Sequence, residues 1–235
     1  MKLSRSASLR VNRFLDQYAP PVLRDSTIFR RLARRMYGKL TIDIVDLKAR
    51  AFYLSRLDLE NFYVQLQSRF DQGVTDLTPA SLDAVLRSVR GDRVLDVACG
   101  RGYLCNLMAE RGLEVVGCDV AVSSSPRDAS GPVQWVNGNV EELPFRDSIF
   151  DTVVSTHTLE HVQQLARAID ELRRVAHNRI VLVVPRQRPY LATFNQHIHF
   201  FPYEFSLLAW TGTGRPHTLE LVGGDWLYIE DCAVG

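Results

Sequence analysis

From Arg93 to Pro185 short apolar runs of strand length alternate with segments of helical period, and this alternation restricts the chain to few folds. Runs over 94–99, 114–120, 133–137, 150–155 and 180–184 are rich in Val, Ile and Leu, as strands buried on both faces are. Helices over 103–111 and 163–176 separate them, the second placing Leu165, Ile169, Leu172 and Val175 or Ala176 inward. Strands joined through helices form βαβ units and hence a mainly parallel sheet. The end of the chain differs. After a helix near 203–210, segments 217–222 and 226–231 flank Gly223-Gly224, the pattern of an antiparallel hairpin. The reading is an α/β, doubly wound sheet, parallel except for its last strand.

The 235 residues and 46% apolar fraction suffice for one such domain of roughly 150 to 180 residues with an accessory segment. That segment reads as helical over 22–72: Ile28, Phe29, Leu32 and Met36 recur at helical spacing, with Arg30, Arg31, Arg34 and Arg35 on the other side. The aromatic residues Phe52, Tyr53, Phe62, Tyr63 and Phe70 come next, as core between helices or as pocket lining. Thr78 as N-cap and Pro79 at the first helical position then open a helix with Leu82, Val85, Leu86 and Val89 on one face. The predicted division is a basic arm and helical cap over 1–75 and a sheet domain over 76–235.

Residues 1–50 carry 12 Lys or Arg against 4 Asp or Glu, whereas residues 51–235 carry 16 against 23. A basic arm can dock on an acidic partner, on anionic lipid or on nucleic acid, or form a solvated face that offsets the acidic body. No run reaches the roughly 18 to 20 apolar residues of a membrane-spanning helix. The first residues lack the apolar core of a secretory signal, so a cytoplasmic protein is expected. Cys99, Cys105, Cys118 and Cys232 show neither CxxC nor zinc-site spacing and read as reduced thiols; no metal site is expected.

Parallel sheets of this kind bind ligands beyond the carboxyl ends of their strands, where the strand order reverses. The loop after the first strand reads Asp96-Val97-Ala98-Cys99-Gly100-Arg101-Gly102. Its glycines remove side chains where backbone must approach a ligand. Asp96 is an odd core residue unless it accepts hydrogen bonds from that loop or meets a cationic ligand group. Asp119 closes the second strand, where a carboxylate can accept from both hydroxyls of a ribose. Asn139, in Gly138-Asn139-Val140-Glu141-Glu142-Leu143-Pro144-Phe145, can read an adenine edge or simply cap its loop.

Together, VLDVACGRGYL, VVGCDV, GNVEELPFRDSIFDTVVSTHTLEHV and the helix before RIVLVVP resemble the class I S-adenosylmethionine-dependent methyltransferases, nearest to the small-molecule and quinone-biosynthesis group. The resemblance covers roughly 93–185. It implies a Rossmann-like seven-stranded sheet with an antiparallel last strand and S-adenosyl-L-methionine as cofactor. It also implies that Asp96, Ala98, Gly100 and Gly102 surround the methionine part, Asp119 binds the ribose, Asn139 and Val140 meet the adenine, Thr156 lies near the cofactor, and Val120 is a further cofactor-binding residue. Three positions depart from the family pattern: Ala98 replaces its first glycine, Asn139 its usual aspartate, and His177-Asn178 its Pro-Gly-Gly turn.

A methyl donor needs alignment and exclusion of water more than acid–base help, but a protonated acceptor also needs a base. His157 and His161, one helical turn apart after the fourth strand, are the catalytic candidates, and Glu160 lies beside them. His197 and His199 come after the fifth strand, where related enzymes build part of the acceptor pocket, and are the substrate-binding candidates. The expected activity is methyl transfer to an oxygen, nitrogen or carbon of a small molecule. Rival readings are a silent methyltransferase-like binding protein, a nucleic-acid methyltransferase using the basic arm, and a nicotinamide-dependent oxidoreductase. The last lacks a small residue at Cys105 and gives Asp96 no role.

Overall fold

A computed structural model of the chain describes residues 20–37, 47–69, 74–122, 131–190 and 196–232. Phe70 and residues 1–19 of the basic arm lie outside these residues. The chain divides into two compact units, one of residues up to 73 with 187–202, the other of 74–186 with the residues from 203 onward.

The first unit contains helices α1 (Pro21–Arg24), α2 (Thr27–Tyr37), α3 (Leu47–Arg50), a 3-10 turn (Ala51–Tyr53) and α4 (Arg56–Arg69). The Ser26 hydroxyl accepts the Phe29 N–H at 3.2 Å, and Ser55 accepts that of Asp58 at 3.1 Å, so each serine caps the helix it precedes. Segment 187–202, placed by sequence with the sheet, belongs here because β5 ends at Pro185 and side chains of the helices hold the residues beyond it. Lys48 Nζ donates to the His197 carbonyl at 2.7 Å and lies 4.5 Å from the Phe200 ring centre, while Phe52 meets His199 edge-on at 5.6 Å.

The second unit is built on α5 (Pro79–Ser88), β1 (Arg93–Val97), α6 (Tyr103–Ala109), β2 (Glu114–Asp119), β3 (Gln134–Asn137), β4 (Phe150–Thr156), a 3-10 turn (Leu159–His161), α7 (Leu165–Val175), β5 (Ala176–Pro185), α8 (Glu204–Thr211), β6 (His217–Val222) and β7 (Asp225–Asp231). Its seven strands lie in the order β3-β2-β1-β4-β5-β7-β6. Strands β1 to β5 are parallel; β7 runs antiparallel between β5 and β6, which it meets through the Gly223-Gly224 hairpin. The expected sheet, parallel with an antiparallel last strand, is therefore the one observed.

Strand alternation divides the core. Val94, Val154, Val181 and Val183 face one side with Val85, Leu104, Cys105 and Met108 of α5 and α6. On α7, Leu165, Ala168, Ile169, Leu172 and Val175 are all buried, one helical stripe, and α7 packs on β4 and β5. Arg173 of this helix forks onto the buried Glu230 of β7 at 2.8 and 2.6 Å, and Tyr228 donates to the same carboxylate at 2.6 Å.

The hairpin also locks onto α5. Thr78 caps that helix by accepting from Ser81 N–H, as predicted, and Ser81 donates to the Val222 carbonyl at 3.0 Å. Gly223 lies against these hydroxyls with φ +61°, where any Cβ would collide with Thr78. Gly223→Ala should therefore lower the unfolding free energy by about 2 kcal/mol or more, from left-handed strain plus damage to the cap. The check is a reduced denaturant midpoint at unchanged slope.

Candidate functional site

The strand order reverses at β1, with β2 on one side and β4 on the other, so the crevice of the fold opens at the carboxyl ends of these strands. The loop leaving β1 fills that position. Ala98 N–H and Cys99 N–H both donate to the Cys118 carbonyl of β2, at 2.7 and 3.2 Å, which folds the loop back across the strand ends. Ala98, Gly100 and Gly102 adopt φ values of +59°, +54° and +79°. At Ala98 this left-handed backbone carries a methyl group at a cost of roughly 1 to 2 kcal/mol, the physical meaning of its departure from the family's glycine. A Cβ at Gly100 would meet nothing within 4 Å, whereas one at Gly102 would collide with the Trp135 ring. Gly100 thus leaves open space for an approaching ligand, and Gly102 accommodates the protein's own packing.

Two buried carboxylates define the electrostatics. Asp119 is no solvated strand end: one oxygen accepts Gly100 N–H at 2.9 Å and the other Ala121 N–H at 2.8 Å, so it pins the β1 loop to the β2 loop. Asp96 is 2% exposed and accepts from the Cys105 thiol at 3.1 Å. Burial pushes its carboxyl up to about 7; the thiol contact lowers it and the negative charge of Asp119 raises it. Two acidic groups with so little water form a cradle complementary to a cation, and the methionine part of S-adenosylmethionine carries cationic groups. The residues present fit that group.

The loop after β3 is held from α7. Glu141 accepts the Gln163 and Gln164 N–H groups at 2.7 and 3.0 Å, and Arg174 donates to the carbonyls of Leu143 and Phe145 at 3.0 and 2.8 Å. The Asn139 carboxamide oxygen accepts Glu141 N–H at 2.8 Å, so the loop-capping alternative is realised. Val140 is buried beside it, and Val120 lies half-buried in the turn after β2.

Thr156 ends β4, and His157 comes next with φ +50°. The His157 ring lies between two carboxylates, Nδ1 at 3.4 Å from Glu160 and Nε2 at 3.6 Å from Asp225. Glu160 is fully buried and also faces His161 Nε2 at 3.9 Å. Burial alone would drive the proton off His157, but Asp225 and Glu160 outweigh it and push the imidazole up to about 10. At neutral pH it is a cation. His197 and His199 sit in the first unit, His197 Nδ1 at 2.5 Å from Gln187 Oε1 and His199 against Phe52. Of the aromatic candidates Phe62 is buried, whereas Phe52 and Tyr53 are exposed.

Sequence reasoning did not single out Asp225, Trp135, Glu141 or Arg174. An Asp opening a buried strand beside a glycine turn was the available signal for Asp225; the others act through contacts distant in sequence.

Residues 95–184 match the family profile described as a methyltransferase domain. The 2-phytyl-1,4-naphtoquinone methyltransferase of Synechocystis is 36% identical over 97 residues, covering 36% of this chain and 40% of that protein. A ubiquinone biosynthesis O-methyltransferase of Paracidovorax citrulli is 30% identical over 154 residues, covering 61% of each. This chain thus spans about half the length of these two relatives. A crystal structure from Pyrococcus horikoshii superposes with a TM-score of 0.51 at 18% identity, over 71% of this chain and 98% of that one, and shares the fold. Residues 95–184, which include both carboxylates of the Asp96 and Asp119 cradle, thus match a methyltransferase domain, and the sheet has the fold of the solved structure.

Proposed function

We propose that this protein transfers the methyl group of S-adenosylmethionine to an oxygen, nitrogen or carbon of a small molecule in the cytoplasm. The observation that carries the reading is the acidic cradle at the strand-order reversal, bridged by Asp119 and open above Gly100. The names of the two relatives favour an aromatic, quinone-type acceptor. The basic arm is read as a surface for a polyanionic partner, lipid or nucleic acid.

Bound S-adenosylmethionine supplies an electrophilic methyl on a sulfonium; the protein's part is orientation and exclusion of water. Asp96 would hold the cationic methionine part, with Ala98, Gly100 and Gly102 supplying the backbone around it. Asp119 has two oxygens and about four acceptor positions, so it can receive ribose hydroxyls while retaining its two amides. Val120 would flank the ribose, Asn139 and Val140 the adenine, and Thr156 the transferred group. His157, charged at neutral pH, acts as a fixed cation that sets the position of Glu160. A base, where the acceptor carries a proton, is assigned to His161. His197 and His199 are assigned to the acceptor.

Asp119→Ala should weaken binding of S-adenosylmethionine by about 1 to 3 kcal/mol, the cost of losing buried hydrogen bonds and a fixed loop. Calorimetry reads this directly, and an unchanged affinity would remove Asp119 from the site. Because a bound cation favours the ionised form of Asp96, affinity should rise with pH through the carboxyl's value of about 7, and Asp96→Asn should flatten that dependence.

The raised proton affinity of His157 has a defined effect on stability. Its contribution is complete below its unfolded value of 6.5, declines above it and disappears once pH passes about 10. The stability difference between the native chain and His157→Gln should therefore shrink steadily from neutral pH toward pH 10. A difference independent of pH would mean that the ring is neutral.

A further inference from the structure

Helix α2 presents an apolar surface to solvent and carries a single sign of charge. Ile28 is 77% and Leu32 50% exposed, and the preceding turn adds Val22 at 82% and Leu23 at 63%. Ser26 joins the two helices, its hydroxyl donating to the Leu23 carbonyl at 2.7 Å while it accepts the Phe29 N–H. The helix contains four arginines and no acidic residue. At 100° per residue, Ile28, Leu32 and Phe29 share one arc, Arg30 and Arg34 lie opposite it, and Arg31 and Arg35 lie on the flank next to Ile28.

We propose that α2, with Val22 and Leu23 of α1, is an interfacial helix that docks the protein on an anionic phospholipid surface. The proposal deepens the polyanion reading of the basic arm and rests on it; methyl transfer is not required for it. Exposed branched aliphatic side chains gain by leaving water, and an acyl boundary takes them without needing a shaped partner. Arg35 borders Ile28 along the helix circumference and Arg31 lies beyond it. A helix lying in the interface therefore keeps guanidinium groups at headgroup level while its aliphatic side enters the acyl region. A duplex or single-stranded nucleic acid would use the arginines but leave Ile28, Leu32, Val22 and Leu23 in water. The cytoplasmic leaflet carries the complementary negative charge.

The test is co-sedimentation of the full chain with phosphatidylglycerol–phosphatidylcholine vesicles and with phosphatidylcholine vesicles. Binding to the first and not the second is expected, weakening with salt. Ile28→Asp with Leu32→Asp should abolish it, and each of Arg31→Gln and Arg35→Gln should weaken it about five-fold. Unaltered vesicle binding by the Ile28, Leu32 double variant would overturn the proposal, as would equal binding to both vesicle types. Tighter binding to an RNA oligonucleotide that ignores the double substitution would overturn it also. Calorimetry with S-adenosylmethionine on the same variants keeps the two readings apart. Retained cofactor affinity with lost vesicle binding supports the docking helix, and absent cofactor affinity in every form would refute the enzyme while leaving the vesicle result to stand.

Discussion

One buried carboxylate, Asp119, joins two loops that the sheet alone would leave separate. The β1 loop turns back at the strand ends through alternating left-handed residues, with Ala98 and Cys99 N–H on the Cys118 carbonyl and Gly102 N–H on the Cys99 carbonyl. Asp119 supplies a charge-assisted acceptor to Gly100 N–H and, through its other oxygen, to Ala121 N–H. Because β1 and β2 are adjacent and parallel, the bond spans a fixed distance and fixes the loop with it. The open space above Gly100 follows from where that loop is held, whereas Asp96 is buried within β1, between β2 and β4.

The other rim of the crevice is tied down by charge as well. Glu160 and Asp225 come from distant parts of the sequence of the second unit, and His157 lies between them. An isolated carboxylate as buried as Glu160 would be very costly; the imidazolium offsets much of that cost and makes β7 part of the crevice wall. Asp225 also accepts from Ser81 at 3.3 Å, so α5, β4 and β7 meet in one polar network. The antiparallel strand thereby does more than extend the sheet. It delivers a carboxylate to the end of β4.

Much of this was legible in the sequence, for physical reasons. Strands buried on both faces must be apolar throughout, so β1, β4 and β5 could be read from Val and Ile runs, and the left-handed loop from its glycines. Thr78-Pro79 marked a helix start because local hydrogen bonding decides caps. Where partners lie far apart in sequence, nothing local records them. The clasp of Arg174 and Glu141 on the β3 loop belongs to this class, as does the grouping of 187–202 with the helices. His157 was readable as a histidine near a crevice; that two carboxylates would hold its proton depended on β7 arriving beside it.

Trp135 offers a last consequence. Its indole occupies the volume where side chains at Gly102 and Gly117 would stand, one in the crevice loop and one in the middle of β2. Three positions on β3, β2 and the β1 loop therefore share one space. A larger residue at either glycine becomes admissible only after the ring has shrunk, and a smaller residue in place of the ring would leave a void beneath the crevice floor. Drift at these sites is constrained to concerted steps, so the three should vary together among close relatives of this chain.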